Sequence, residues 1–251
     1  HSQERYSQFA DDYAASESHA EGTDLDRLLE LAEPSDDWVV LDVATGGGHT
    51  ALKFAPHVGR VVASDITREM LDKAEAFIDE QDVDNIAFEQ ADAENLPFDD
   101  ETFDLVTCRI APHHFPDPAE FLCEAARVLE LGGRLLVQDH VLPDDGPVAR
   151  SIDDFERKRD PSHVRAYSRD EWLQMFADAG IEVDATDEVI KRHNFLDWTA
   201  RQGNSEETVE ELVTMMEEMP EAARKWAEPL EWGMDEASFV NHHILIAGTK
   251  P

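Results

Sequence analysis

Cysteine and lysine are both scarce in this chain of 251 residues. The two cysteines, Cys108 and Cys123, show neither metal-ligand spacing nor a disulfide framework, so a stapled scaffold is excluded, no metal is expected, and a reducing cytoplasm is the expected setting. Basic residues number 21 against 57 acidic ones, which leaves a net charge of −36, and only six of the 21 are lysine. A surface this negative excludes nucleic acid as an expected partner, because phosphates require Lys and Arg opposite them. No apolar run approaches the roughly 20 residues of a membrane span. The segment "ETVEELVTMMEEMPEAARKW" reads as a covering helix, since Val209, Leu212, Val213 and Met216 share a face whose opposite side is acidic, not basic as in a membrane anchor. Low-complexity linkers and internal repeats are missing as well. One domain is therefore expected over residues 1–251, with a helical cap (1–35), a core (36–142), and an insertion, helices and the last two strands (143–251).

What is present is acid spread over the whole chain: Asp11, Asp12, Asp36, Asp37, Asp99, Asp100, Asp144, Asp145, Glu206 and Glu207 form pairs far apart. Self-repulsion at that density opposes compaction, and salt relieves it because the Debye length falls to about 3 Å at 1 M. The composition is that expected of a salt-adapted cytoplasm. In the lead segment Tyr6, Phe9 and Tyr13 fall at helical spacing and could either close over a site or pack on the sheet edge. Thr23 or Asp24 can cap a helix to about Glu33, which Pro34 ends.

From Trp38 onward strands and helices alternate. "WVVLDV", "RVVASD", "IAFEQAD", "FDLVTCRI" and "GGRLLVQDHV" read as short apolar strands, separated by amphipathic helices such as "TREMLDKAEAFIDEQ" and "PAEFLCEAARVLE". That rhythm predicts an α/β fold, a mostly parallel sheet with helices on both faces. After Val141 it breaks. "LPDDGPVARSIDDFERKRDPSHVRAYS" reads as a charged insertion, in which Arg157, His163, Arg165 and Tyr167 either attract an anion or neutralise Asp153, Asp154 and Asp160. A helix ("RDEWLQMFADAG"), a strand in Ile181–Arg192, helices around Phe195–Gln202 and Glu206–Met219, and a last strand "NHHILIAGTKP" come next. Phe195 and Trp198, a turn apart, either wall the pocket or, as preferred, pack in the core.

The most informative stretch is "WVVLDVATGGGHTALKFA". A glycine-rich turn between a first strand and a helix lets backbone approach a ligand and aims helix N–H groups at it. Gly46, Gly48 and Ala51 satisfy the loose G-x-G-x-x-[GA] dinucleotide pattern, and Asp65 follows 19 residues after Gly46, where a ribose-binding acid belongs. Those residues alone admit NAD. Asp42 disfavours it, because a pyrophosphate beside the glycines would meet a like charge. A nucleoside without phosphate and with an ammonium group suits the position better, and S-adenosylmethionine has that chemistry.

Here the chain resembles the class I S-adenosylmethionine-dependent methyltransferases, in particular the group of ubiquinone/menaquinone biosynthesis methyltransferases. "LDVATGGGHTA" resembles that family's first motif with Ala44 in place of its first glycine, "VVASDIT" its second, and "ADAENLPFDDETFDLV" its most specific one. "CRIAPHHFPDPAEFLCEAARVLELGGRLLVQDH" resembles the fourth motif together with the helix and strand after it, with Glu130–Leu131 replacing the usual Lys-Pro before Gly132 and Gly133. The resemblance implies a Rossmann-like seven-stranded sheet whose last strand inserts antiparallel beside the fifth. It implies S-adenosylmethionine as cofactor, held by Asp42, Ala44, Thr45, Gly46, Gly48, Asp65, Ile66, Met70, Asp92, Ala93, Arg109, Ile110 and Ala111. Asp65 would meet the ribose, Met70 and Asp92 the adenine, and Arg109–Ala111 the methionine portion.

Methyl transfer from a sulfonium is an in-line displacement, so the protein mainly positions donor and acceptor and excludes water. A general base is needed only where the acceptor must shed a proton early. His113, His114 and His140 are the candidates, because they follow or end strands at the carboxyl rim of the sheet. The expected function is methylation of a small molecule at carbon, oxygen or nitrogen, with a quinone-like ring carbon preferred. A non-catalytic S-adenosylmethionine-binding module and an NAD-dependent dehydrogenase are the competing readings. A base-amine methyltransferase is disfavoured, because Arg109–Ile110–Ala111–Pro112–His113 stands where an Asn/Asp-Pro-Pro-aromatic element belongs.

Overall fold

The structure, a computed structural model, describes residues 23–251, so Tyr6, Phe9 and Tyr13 lie outside the described residues. The chain runs α1 (Thr23–Ala32), β1 (Val39–Val43), α2 (His49–Phe54), β2 (Arg60–Asp65), α3 (Arg68–Asp79), β3 (Ile86–Gln90), β4 (Phe103–Arg109), α4 (Pro118–Val128) and β5 (Leu129–Leu142). Then come α5 (Gly146–Arg159), β6 (Tyr167–Ser168), α6 (Arg169–Asp178), β7 (Glu182–Asn194), α7 (Phe195–Ala200), α8 (Glu206–Glu218), α9 (Glu221–Ala227) and β8 (Ser238–Thr249). The sheet order is β3-β2-β1-β4-β5-β8-β7. Strands β1 to β5 pair in parallel, and β8 runs antiparallel between β5 and β7, as the resemblance implied. The two-residue β6, not foreseen from sequence, pairs with Val141 and Leu142 at the tip of β5.

Strands buried on both faces explain the nearly unbroken apolar runs. Leu41, Val106, Leu135, Val137 and Ile246 point to one face, where Phe121, Leu122 and Ala125 of α4 and Trp172 and Phe176 of α6 cover them. Val40, Val61, Leu105, Leu136 and Leu245 point to the other, against Leu25 and Leu28 of α1 and Ala51 and Phe54 of α2. Successive residues of one strand thus feed two cores.

The charged insertion after Val141, to which the sequence assigned no element, contains a 14-residue helix, Gly146–Arg159. The Asp145 carboxylate accepts from the Val148 amide at 3.2 Å, and proline stands in the first turn where no donor is lost. Val148, Ile152 and Phe155 give it one apolar face. That face joins Phe195, Trp198, Leu212, Met216, Ala223 and Phe239 in a third core, so Phe195 and Trp198 are core residues. Asp24 is a correction: it caps nothing. It lies inside α1 with its carboxylate turned into the protein.

Candidate functional site

The turn between β1 and α2 is held from below. Asp42, buried one residue before the end of β1, accepts Oγ1–H bonds from Thr45 at 2.6 Å and Thr107 at 2.8 Å, one on each oxygen. Burial pushes its carboxyl up to about 6, against the opposing pull of those two hydroxyls and of the Arg109 charge. Asp42 thereby shapes the loop through Thr45 and ties it to β4 through Thr107. The loop itself needs positive φ at Gly46 (55°) and Gly48 (81°). A Cβ on Gly48 would also lie 2.8 Å from Cδ1 of Ile78, so α3 packs where only glycine fits. Ala44 sits at φ 53°, a left-handed conformation that costs a residue bearing a Cβ and that glycine adopts freely.

Asp65 ends β2 and ties the loop to the next strand. Its Oδ2 accepts from the Gly46 amide at 3.2 Å, and Oδ1 from the amide (3.0 Å) and hydroxyl (2.9 Å) of Thr67. Burial raises its carboxyl above the ordinary range, with Thr67 and Gly46 opposing. Arg109, at the end of β4, donates from Nη1 to Asp24 at 3.0 Å and from Nε to Thr50 at 3.3 Å. Ile110 beside it holds φ 55°, a left-handed conformation rare for a β-branched residue, fixed by its amide bond to the Gln138 carbonyl at 2.7 Å.

These elements enclose a cavity of about 1140 Å³, counting the solvent in its mouth. Its walls bring together Asp42, Ala44, Thr45, Gly46, Asp65, Ile66, Met70, Asp92, Ala93, Arg109, Ile110 and Ala111, with Gly47, His49, Thr50, Ala91, Glu94, His114, Phe115 and Pro116. Gly48 stands just behind the wall. The cavity opens at the carboxyl ends of β1, β2 and β4, where ligands of open parallel sheets bind.

The three histidines occupy different stations. His114 is on the cavity wall; His113 and His140 are behind it. His113 Nδ1 lies 2.6 Å from Asp139 Oδ1, and its ring centroid is 4.0 Å from that of His114 and 4.7 Å from that of His140. His140 in turn lies tilted against His243 at a centroid distance of 4.5 Å and borders a second cavity with Phe155, Glu156, Met216 and Asn241. Burial, then the neighbouring His113 and His163, holds His140 well below the ordinary imidazole range. Asp139 is fully buried, which raises its carboxyl to about 7 against the pull of the His140 amide and of His114 and His163. His163 Nε2 meets Asp153 at 2.7 Å, and within the insertion Arg157 bonds Asp153 and Asp154.

Sequence reasoning missed Lys191, Asp139 and His243, and read Asp24 only as a possible helix cap and His163 only within the basic residues of the insertion. A signal existed for one of them. Gln138 and Asp139 interrupt the apolar run of β5, and two polar side chains buried on opposite faces of a sheet have to serve something.

Over residues 34–180 the chain matches the family model described as a methyltransferase domain. YcgJ of Bacillus subtilis, an uncharacterized methyltransferase, is 36% identical over 246 residues, 98% of this chain and 97% of that one. Its crystal structure aligns with a TM-score of 0.87, covering 91% of this chain and 98% of YcgJ at 35% identity. A ubiquinone/menaquinone biosynthesis C-methyltransferase, UbiE of Saccharophagus degradans, is 30% identical over 65% of this chain and 67% of its own. The fold also matches geranyl diphosphate methyltransferase solved with S-adenosylmethionine, TM-score 0.66 at 16% identity, over 91% of this chain and 85% of that one. The chain belongs to the methyltransferase domain family, whose members use S-adenosylmethionine as methyl donor.

Proposed function

We propose that this chain is one methyltransferase domain that binds S-adenosylmethionine in the cavity between the Ala44–Gly48 turn and Arg109–Ala111, and passes its methyl group to a small molecule entering over the His114–Pro116 rim. The observation that carries this is the convergence, on one wall, of the glycine turn, Asp65, Met70, Asp92 and Ala93. The residues fit the donor. Four carboxyl groups, Asp42, Asp65, Asp92 and Glu94, border the cavity against a single Arg109, a setting that disfavours a pyrophosphate and suits a cationic sulfonium.

In this reading Asp65 holds the ribose hydroxyls. Ile66 and Met70 cover the adenine, and Asp92 and Ala93 meet its edge. Thr45, Gly46 and Gly48 shape the turn for the amino-acid end, with Ala44, Arg109, Ile110 and Ala111 opposite. The bound donor supplies an activated methyl carbon; the chain positions it and excludes water. The relatives named above that act on quinone precursors and on geranyl diphosphate favour a small-molecule acceptor. The charge of −36 disfavours nucleic acid and agrees with a salt-rich cytoplasm as the working environment.

The test is calorimetry with S-adenosylmethionine, S-adenosylhomocysteine and NADH, followed by transfer of labelled methyl into a metabolite extract. Binding of the first two and label in a low-molecular-weight product are expected. NADH binding in place of the sulfonium would overturn the reading, and donor binding with no transfer would point to a non-catalytic module.

A further inference from the structure

A second cavity lies across a layer of histidines from the first. His114 is on the wall of the first and His140 on the wall of the second, and the His113 ring stands between them at centroid distances of 4.0 and 4.7 Å. Its volume is about 420 Å³, counting the solvent in its mouth, which places it at the small end of ligand sites. Residues of α5, α8, α9 and the start of β8 enclose it together with the tip of β5. The walls are chiefly apolar. Phe155 and Phe239 meet edge to face at 5.7 Å, with Met216, Met219 and Trp226 beside them.

Into this apolar setting α5 puts a carboxyl group. Glu156 is only 4% exposed, and its Oε1 accepts from Asn241 Nδ2 at 2.9 Å. Its Oε2 has no donor among the described residues and is not sealed from solvent, so it opens on the cavity that Glu156 lines. An acceptor buried without a donor costs about 1–3 kcal/mol, and more where it is charged. The neighbouring donors are spent inside the protein. Asn241 Nδ2 is taken by Glu156, and His242 Nε2 lies 2.9 Å from the Trp226 carbonyl, so Nε2 carries the proton and Nδ1 the lone pair. His140, held neutral by burial and the imidazoles around it, adds a further lone pair. Acceptors thus outnumber donors on a wall of aromatic rings, in a chain whose charge of −36 concentrates cations. A primary ammonium has three N–H donors, no acceptor, and a charge that aromatic faces attract.

We propose that this second cavity is a binding site for a small organic amine, taken as its ammonium ion, whose charge meets Glu156 and whose short apolar body lies among Phe155, Phe239, Met216 and Trp226. The site stands apart from the donor cavity and does not depend on the donor reading.

The experiment is calorimetry on the whole chain at about 1 M potassium chloride, where diffuse attraction to the acidic surface is screened. The probes share one branched carbon frame and differ in the end group: isoamylamine, isoamyl alcohol and isovalerate. The amine is expected to bind at one site about tenfold or more tightly than the alcohol, as a charge-assisted hydrogen bond requires, and the carboxylate not to bind. Glu156→Gln keeps the shape and the bond from Asn241; it brings the amine down to the level of the alcohol and leaves the alcohol unchanged. Asp154→Asn, on the same helix with 63% of its side chain exposed, changes neither. A readout on the wild type stands even if Glu156→Gln does not fold. Burial raises the Glu156 carboxyl above its ordinary range, against the pull of Arg159, His163 and the Asn241 amide and with the help of Asp160; His140 and His242 are the other titratable groups on its wall. Affinity for the amine therefore climbs from acid to neutral pH as Glu156 ionises, and affinity for the alcohol does not. No binding of the amine, equal affinity for amine and alcohol, binding of the carboxylate, an amine affinity flat in pH, an amine indifferent to Glu156→Gln, or an equal loss in Asp154→Asn would each overturn the proposal.

Discussion

Asp24→Asn is the sharpest perturbation the structure offers. One carboxylate oxygen, Oδ2, accepts from Arg109 at 3.0 Å, Gln138 at 2.9 Å and Lys191 at 2.7 Å, and so joins α1 to β4, β5 and β7. The side chains of Asp24 and Arg109 are 1% and 5% exposed. Asparagine keeps the shape and removes the charge, leaving two cations facing a neutral amide in the interior. Breaking a buried pair in this way costs about 3–5 kcal/mol. For a domain of this size that is a fall in Tm of roughly 6–20 °C.

A general effect runs the other way, because removing any acid from a chain at −36 relieves self-repulsion. Asp26→Asn controls for it. Asp26 pairs with Lys53 on the surface with 66% of its side chain exposed, so its pair contributes only about 0–1 kcal/mol. The assay is urea unfolding of both variants and the wild type at one salt concentration. The pH dependence has a fixed sign. Burial alone would raise the Asp24 carboxyl, but Arg109 and Lys191 overcome it and hold it well below the usual range. Its stabilisation is therefore complete above the unfolded value of about 4 and is lost as pH falls through the lower folded value. The deficit of Asp24→Asn should shrink in acid. A variant within 1 kcal/mol of Asp26→Asn at neutral pH, by the magnitudes above, would refute the reasoning.

Three further outcomes are expected. Asp65→Ala, which removes the acceptor for Thr67 and the Gly46 amide as well as the proposed ribose contact, should weaken S-adenosylhomocysteine by about 1–3 kcal/mol in calorimetry; unchanged affinity would remove the ribose assignment. Gly248→Ala places a Cβ 2.6 Å from Cγ2 of Ile181 and 2.8 Å from the Glu182 carbonyl oxygen where β8 passes β7, so a loss of about 1–3 kcal/mol is expected in the same urea assay. Tm should rise steadily with potassium chloride up to molar concentration, since screening acts on a net charge of −36, and a flat profile would count against the salt-adapted setting.

The parts of the fold legible in the sequence were those whose signal is local. Apolar strands buried on both faces, a glycine turn and an acid 19 residues on are all patterns of neighbours, and they placed the sheet and most of the cavity wall. The helix at Gly146–Arg159 was hidden because its capping residues, Asp145, Gly146 and Pro147, also spell a turn, and its apolar face is only three residues wide. Asp24 read as a cap for the same reason: an acid before an apolar run is the local signature of a helix start. Its partners stand 85, 114 and 167 positions away, and only the sheet order brings them to one point. The histidine cluster obeys that rule too. His140 faces His243 because β8 inserts antiparallel beside β5 in a register that pairs those two residues. His113 reaches Asp139 because β4 and β5 are adjacent. A motif names the residues that touch a ligand, whereas the charges that tune them come from strands far along the chain. The acceptor side, governed by such charges, therefore needed the fold before it could be read.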